Sequence, residues 1–243
     1  SIVLGGTLMT IAAWRTPALG LYLKGIRLHK EVMAQCVRVG VPIAGERVLF
    51  SFGQVVFTAI TARLGTVAMA AHSIALAAEQ AFYIPGYGMQ TAAATLAGNA
   101  YGARDRRRLR DLTAMFIPIE VALMILSGGA LFFSAPMLMD LFSDSREVIA
   151  LGTTVLRMVA LSEPAYGFSI IIEGMMLGMG NTRDPFRYNI LGMWGVRILG
   201  TFLCTTFLDG GLVAAWGCMI AHNLLLFVLF LRYHLRGNLT AMI

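Results

Sequence analysis

The segment from Gly65 to Arg110 decides the fold, and it reads GTVAMAAHSIALAAEQAFYIPGYGMQTAAATLAGNAYGARDRRRLR. It is predominantly apolar up to Ala103 and then carries a burst of arginines. About 20 apolar residues are enough for a helix to cross a bilayer, and clustered arginines mark the cytoplasmic side of a span. The segment therefore predicts a membrane helix that leads into a basic cytoplasmic loop.

The composition extends this prediction to the whole chain. Hydrophobic residues make up 58% and charged residues 13% of the 243 residues, against roughly 45–50% and 25% in average soluble domains. The net charge of +6 lies in short basic blocks between apolar runs, a pattern that orients a protein in a membrane. We predict an integral membrane protein that has the lipid bilayer as a partner and binds no nucleic acid.

Six transmembrane helices are predicted and are labelled A to F. They cover residues 39–61 (A), 67–100 (B), 112–133 (C), 149–176 (D), 188–207 (E) and 212–231 (F), with helix D interrupted at Glu163-Pro164. Residues 24–38 mix basic and apolar side chains as an interfacial helix does, and residues 136–147 are predicted to form an acidic connection. The predicted fold class is all-α, a polytopic membrane helix bundle.

Three segments follow from this reading. Residues 1–25 are predicted to be the end of a truncated preceding transmembrane helix and a linker, residues 26–236 the six-helix unit, and residues 237–243 a tail. Basic residues collect in alternate loops, and the opposite side holds only Arg63 and Arg146. This asymmetry predicts that both ends of the six-helix unit are cytoplasmic.

The sequence contains no catalytic constellation. It lacks paired histidines at metal spacing, a Gly-x-Ser-x-Gly elbow and a Walker-type phosphate loop. Cys36, Cys204 and Cys218 are isolated and lack metal-type spacing, so we interpret them as packing residues. We therefore expect no enzyme activity, no bound metal and no cofactor.

Ionisable residues at membrane depth are the candidate functional residues. Each charge there costs on the order of 3 kcal/mol on insertion scales, so it usually faces a partner or an aqueous cavity. The candidates are Glu46, Arg47, His72, Glu79, Glu120, Arg157, Glu163, Glu173 and Arg197.

Helix A carries a polar stripe, because Gln54 lies eight residues after Glu46 and close to the same helical face. Two readings remain open for its charges. Either Glu46 or Arg47 forms an interhelical ion pair that fixes the packing, or Glu46 lines a cavity and exchanges a proton or a cation.

The other candidates lie on helices B, D and E. His72 and Glu79 are seven residues apart and share a face of helix B. We interpret His72 as a packed, hydrogen-bonded histidine, and Glu79 as a packing residue or one that carries a proton or pairs with substrate. Glu173 is a weaker site candidate, and Arg197 is interpreted as a structural or cavity charge partner.

Several motifs are similar to those of one transporter family. They are Gly40-Val41-Pro42-Ile43, the run from Leu64 to Ala75, Ile84-Pro85-Gly86-Tyr87-Gly88, the run from Ala97 to Asp105, and Gly178-Met179-Gly180-Asn181-Thr182. In this order they resemble the multidrug and toxic compound extrusion (MATE) transporters, over about residues 26–232. The family has Asp where Asn181 stands.

The resemblance implies a secondary antiporter of the cell (inner) membrane. Family members have two six-helix lobes around a central cavity and export cationic organic compounds in exchange for H⁺ or Na⁺. Helices A to F then correspond to the second, C-terminal lobe. The implied partners are a small organic cation and either the missing N-terminal lobe or a second copy of the chain.

Two positions depart from the family pattern. An acid on the first helix of this lobe would fall near Phe50, and one on the fourth helix would fall near Tyr166. We expect Glu46, Gln54, Glu79 and Glu173 to face the cavity instead. The alternatives are a lipid-linked-sugar flippase of the same superfamily, supported by Arg47, Arg157 and Arg197, and a transport-incompetent remnant or accessory membrane subunit.

Overall fold

The computed structural model describes residues 2–15, 30–237 and 239. The chain forms two compact units, Ser1–Gly40 and Val41–Ile243. The predicted boundary at residue 25 lies outside the described residues, so the three predicted segments stay predictions. The described residues are helical and contain no strand, which confirms the all-α class.

The helices cover all six predicted spans, but those of spans A, C and E begin before residues 39, 112 and 188. The predicted basic loop after helix B is helical from Arg106, because Asp105 accepts a hydrogen bond from the N–H of Arg108 and caps the helix start. The helices are α1 (Ile2–Arg15), α2 (Lys30–Ala62), α3 (Thr66–Gly102), α4 (Arg106–Phe142), α5 (Arg146–Ala160), α6 (Glu163–Gly178), α7 (Arg183–Ile190), α8 (Leu199–Phe207) and α9 (Leu212–Leu235). Of the described residues, 30–38 belong to α2, whereas residues 24–29 of the predicted interfacial helix lie outside the described part.

Among the described residues, five continuous helical stretches are long and apolar enough to cross a membrane, and α5 with α6 makes a sixth if the bent pair is one broken span. The two halves of that span are bent by 53° at the predicted interruption. Pro164 stands at the start of α6, where its missing N–H leaves no helical hydrogen bond unmade. The prediction that helix D breaks at Glu163-Pro164 is therefore confirmed.

The end of helix α4 differs from the predicted end of helix C at residue 133. Residues 136–142 were predicted to belong to an acidic connection, but α4 continues through Pro136 to Phe142. Leu131, Ala135 and Met139 recur at helical spacing and are buried against α5. Burial of this stripe outweighs the one backbone hydrogen bond that Pro136 removes, and bilayer helices tolerate such prolines when neighbouring groups compensate. The connection shrinks to residues 143–145.

Helices α3 and α6 cross at small residues. An added Cβ at Gly178 would overlap the carbonyl oxygen of Ala94, and one at Gly98 would stand 2.8 Å from the carbonyl oxygen of Gly178. Gly174 meets Gln90 in the same way. These glycines let two backbones approach closely, as small residues do in membrane helix pairs. The contact sets which side chains of α3 and α6 face each other.

The span from Arg183 to Phe207 contains a wider turn. Residues Leu191–Ile198 are π-helical and connect α7 to α8. A π-helical segment changes the rotation of the residues after it relative to those before it, and such segments are frequent at functional sites. Asn189 precedes this segment and Arg197 lies within it, and both face the cavity described next.

Candidate functional site

A cavity of about 800 Å³ opens within the second compact unit. The four residues predicted to face it all line it: Glu46 and Gln54 from α2, Glu79 from α3 and Glu173 from α6. The structure therefore brings these side chains to one space. Their role in substrate or ion translocation stays a prediction.

Asn189 joins two of the acids. Its Nδ2 donates to Oε1 of Glu46 and to Oε1 of Glu173, each at 2.7 Å. Asn189 is only 8% exposed, so these charge-assisted bonds are largely shielded from solvent. One amide nitrogen therefore holds both carboxyl groups. We call Glu46, Asn189 and Glu173 the acid pair with its bridge.

Gln90 extends this group. Its Nε2 donates to the other oxygen of Glu173, Oε2, at 3.4 Å. Glu173 thus receives amide donors from α3 and α7, and its carboxyl group is oriented from both sides. Two carboxyl groups that share amide donors and border a cavity can hold a proton or coordinate a small cation, because their oxygens are its natural ligands.

Glu79 is oriented by an aromatic wall. The hydroxyl of Tyr83 donates to Oε1 of Glu79 at 2.8 Å. The ring of Tyr83 lies against that of Tyr166 with centroids 4.8 Å apart, and the hydroxyls of Tyr87 and Tyr166 are 3.3 Å apart. All three tyrosines line the cavity. Electron-rich ring faces beside acids form a surface suited to organic cations.

Arg47 and Arg197 also line the cavity, whereas Arg157 does not. The guanidinium carbon of Arg197 lies 4.4 Å from the ring centroid of Phe57. Arg157 is exposed, stacks over Phe132 and donates from Nε to the carbonyl oxygen of Phe132 at 3.4 Å. Among the described residues, neither Glu46 nor Arg47 forms a salt bridge. The reading of an interhelical ion pair on helix A therefore stays a prediction.

His72 lies away from the cavity lining. It is 1% exposed, and its Nδ1 accepts a hydrogen bond from Nε1 of Trp216 at 3.3 Å. The rings of Phe57 and Trp216 meet it edge to face. This is the packed, hydrogen-bonded histidine that the sequence indicated.

We predict that His72→Phe destabilises the protein without altering transport by the folded molecules. The substitution keeps a ring in place but leaves the buried Nε1 of Trp216 without an acceptor, which costs about 1–3 kcal/mol. Thermal unfolding in detergent measures the loss. His234→Phe is the matched control, because its Nδ1 has no hydrogen-bond partner among the described residues. A transport defect at unchanged stability would contradict the packing role.

Two buried acids lie outside the cavity lining. Glu120 is wholly buried, and a Cβ on Gly86 would stand 2.7 Å from its Oε1. Glu163 is buried beside Gly128. Their carboxyl oxygens have no hydrogen-bond partner in the described ranges.

The cysteines are separated in sequence, but two of them meet in the fold. The sulfur atoms of Cys204 on α8 and Cys218 on α9 are 3.9 Å apart, and both are free thiols. Cys36 is exposed. Cys204 and Cys218 thus pack against each other, because a tight turn folds α9 back along α8, and the interpretation of the cysteines as packing residues stays a prediction.

Sequence reasoning missed the neutral polar residues of the site. The cavity is also lined by Asn189, Gln90, Tyr83 and Asn223. The sequence prediction rested mainly on ionisable side chains and did not include these four. A buried amide in a bilayer helix also needs partners, although its cost is smaller than that of a charge. Counting amides within the predicted spans would have found Gln90, Asn189 and Asn223.

Apolar helices outside and a polar cavity inside define a polytopic membrane protein with a central binding space. Comparisons with known proteins agree with this class. The MatE family model matches residues 42–203. The chain belongs to the MatE family.

Relatives align with most of the chain, and a solved structure aligns with nearly all of it. The chain is 25% identical over 210 residues to a probable multidrug resistance protein NorM of Thermotoga maritima. This alignment covers 86% of this chain and 44% of the relative. A probable multidrug resistance protein NorM of Brucella suis is 30% identical over 189 residues, which are 74% of this chain and 39% of the relative. A crystal structure of a MATE in the straight conformation superposes with a TM-score of 0.86 at 19% identity, covering 99% of this chain and 55% of that one.

Two consequences follow from family membership. Members of this family are membrane transporters and not enzymes, which confirms the expectation that the chain is not an enzyme. The chain spans about half the length of the curated relatives it matches. The likeness to solved structures establishes the six-helix fold.

Proposed function

We propose that the chain is the C-terminal lobe of a secondary antiporter that exports cationic organic compounds in exchange for H⁺ or Na⁺. The observation that carries this proposal is the acid pair with its bridge, Glu46, Asn189 and Glu173, at the wall of the cavity. Two carboxyl groups held by one amide offer a site that an ion and a cationic cargo can occupy in turn. That competition is what exchange requires.

The rest of the lining supports a cationic cargo. Three acids, Glu46, Glu79 and Glu173, and the tyrosine wall of α3 and α6 face the same space. A volume of about 800 Å³ lies in the range of sites for drug-sized ligands. A lipid-linked-sugar flippase would need converging cations for a diphosphate, and Arg157, one of the three arginines favouring it, lies outside the lining.

The assembly and orientation are part of the proposal. In it, the lobe works against an N-terminal lobe or a second copy of the chain, and the cavity opens alternately to the two sides as the lobes rock. In this proposal the six-helix unit lies in the cell (inner) membrane with both ends cytoplasmic, as the basic segments Arg104–Arg110 and Arg183–Arg187 at the starts of α4 and α7 favour.

Efflux of a fluorescent organic cation from cells that express the full-length protein tests the function. Glu46→Gln and Glu79→Gln remove a charge at the cavity wall, and we expect each to slow gradient-driven efflux by at least about tenfold, which corresponds to about 1.4 kcal/mol. Glu147→Gln is the control, because Glu147 is exposed at the start of α5. Undiminished efflux in both cavity variants would rule out the site assignment.

The same cells identify the coupling ion. If H⁺ drives exchange, collapse of the pH gradient stops efflux while removal of Na⁺ does not; if Na⁺ drives it, the reverse holds. Absence of gradient-driven efflux in the unaltered protein, under both conditions and with several cations, would contradict antiport itself.

A further inference from the structure

Arg197 is a buried cation with unsatisfied hydrogen-bond donors, and Glu79 of the same cavity is the acid on which its charge acts. It is 5% exposed and lines the cavity, yet its Nε and Nη2 have no hydrogen-bond partner and it forms no salt bridge within the described part of the chain. Its guanidinium stacks on Phe57, which shields one face of the group and leaves its edge unsatisfied. An unpaired buried charge is costly, and its cost falls when a ligand supplies the missing acceptor.

Two neighbours from α9 border the same part of the cavity. His222 is 3% exposed, and neither ring nitrogen has a partner among the described residues. Asn223 is 6% exposed and also lines the cavity. The His222 ring packs against Gly192, which lies on the same π-helical segment as Arg197. Arg197, His222 and Asn223 therefore form a group rich in donors, which we call the anion subsite.

A glycine on the π-helical segment makes room for the subsite. A Cβ at Gly192 would overlap the imidazole of His222. The histidine ring therefore occupies the space that any larger residue at position 192 would take. Close packing against Gly192 therefore holds the His222 ring beside the span that carries Arg197.

The chemistry of Arg197 selects the ligand class. A guanidinium offers parallel N–H donors that match the two oxygens of a carboxylate. The acid pair with its bridge borders the same cavity and suits an amine. We propose that the cavity binds an amphipathic zwitterion, with its carboxylate held by the anion subsite and its amine by Glu46 and Glu173.

This inference deepens the proposed function and rests on it for the amine end of the ligand. The carboxylate end is independent, because it depends on Arg197, His222 and Asn223 alone. The two ends can therefore be tested separately. A matched ligand pair, an aromatic amino acid derivative with a free carboxylate and its methyl ester, differs only in the charge that the anion subsite would bind.

Equilibrium binding of this pair to the purified full-length protein in detergent is the test, and it needs no ion gradient. We expect the unaltered protein to bind the acid more tightly than the ester. Arg197→Gln should weaken binding of the acid by at least about 30-fold, as removal of one partner of a buried charge pair does, and change ester binding less than about threefold. Arg157→Gln, outside the cavity, should change neither.

Asn223→Leu is a second variant in case Arg197→Gln fails to fold. It should weaken binding of the acid, but not of the ester, by about fivefold or more, because one hydrogen bond to a charged group is lost. Equal binding of acid and ester, or an equal loss of both in a folded variant, overturns the proposal. Binding of chloride alone without a preference for the acid also overturns it, since the subsite would then hold an inorganic anion. A selective loss of acid binding supports it even if the full-length protein fails to export organic cations, which would contradict only the proposed function.

Discussion

Gly178→Val is expected to destabilise the protein by about 3 kcal/mol or more, above the usual range for overpacking. The reason is that the added Cβ would overlap the carbonyl oxygen of Ala94, a backbone atom that cannot rotate away. The α3–α6 contact would have to open, and the cavity wall that these helices share would separate. Thermal unfolding of the purified protein in detergent measures the effect.

Gly88→Val is the matched control for this prediction. Gly88 lies on α3, and a Cβ there would meet no atom within 4 Å. The same side chain added to an open position should cost less than about 1 kcal/mol, the order of a helix propensity difference. Equal unfolding temperatures for the two variants would mean that α3 and α6 do not approach as closely as described.

Asn189→Leu is expected to slow gradient-driven efflux by about 10- to 100-fold. The leucine removes both hydrogens that hold Glu46 and Glu173, and hydrogen bonds to charged groups contribute about 1.5–3 kcal/mol each. The two carboxyl groups would then repel each other or turn away, so the geometry for an ion or an amine would be lost. The measurement is the initial efflux rate per molecule of protein in the membrane.

Asn99→Leu serves as the comparison, because Asn99 is an exposed asparagine on α3 that does not line the cavity. Its efflux rate should stay within about twofold of the unaltered protein. If Asn189→Leu retained the full rate, the bridged acids would be a packing feature and the observation behind the proposed function would fail. Reduced membrane levels with an unchanged rate per molecule would lead to the same conclusion.

The acids of this chain occupy other positions than the resemblance to the family implies. Phe50 and Tyr166 stand where acids were expected from the resemblance, and both line the cavity. Glu46 lies one helical turn before Phe50, and Glu173 lies two turns after Tyr166. Asn189 connects these two acids by hydrogen bonds to both.

Much of the helix arrangement could be predicted from the sequence. Long apolar runs identified every span, and Glu163-Pro164 identified the broken one. The end of α4 could not be predicted, because Pro136 and Asp140 resemble a helix stop, whereas burial of Leu131, Ala135 and Met139 keeps the helix intact. Three helix starts were also missed, because α2, α4 and α7 begin with polar turns that lie outside the apolar stretches.

The candidate site was predictable one residue at a time. Glu46, Gln54, Glu79 and Glu173 were each singled out as polar residues at membrane depth, and each lines the cavity. Their grouping was not predictable. Nothing in the sequence connects Glu46 with Asn189, which is 143 positions away, or gathers Arg197, His222 and Asn223 into one subsite.

The sequence by itself determined that this is a membrane protein, where its spans lie and which side chains are too polar to face lipid. Hydrophobicity alone decides these matters, since each follows from the cost of placing a group in hydrocarbon. The tertiary structure decided which polar side chains meet. Lipid and protein interior are equally apolar, so the pattern along a helix does not reveal its inward face; close packing at Gly98, Gly174 and Gly178 and the π-helical turn before Arg197 set that rotation.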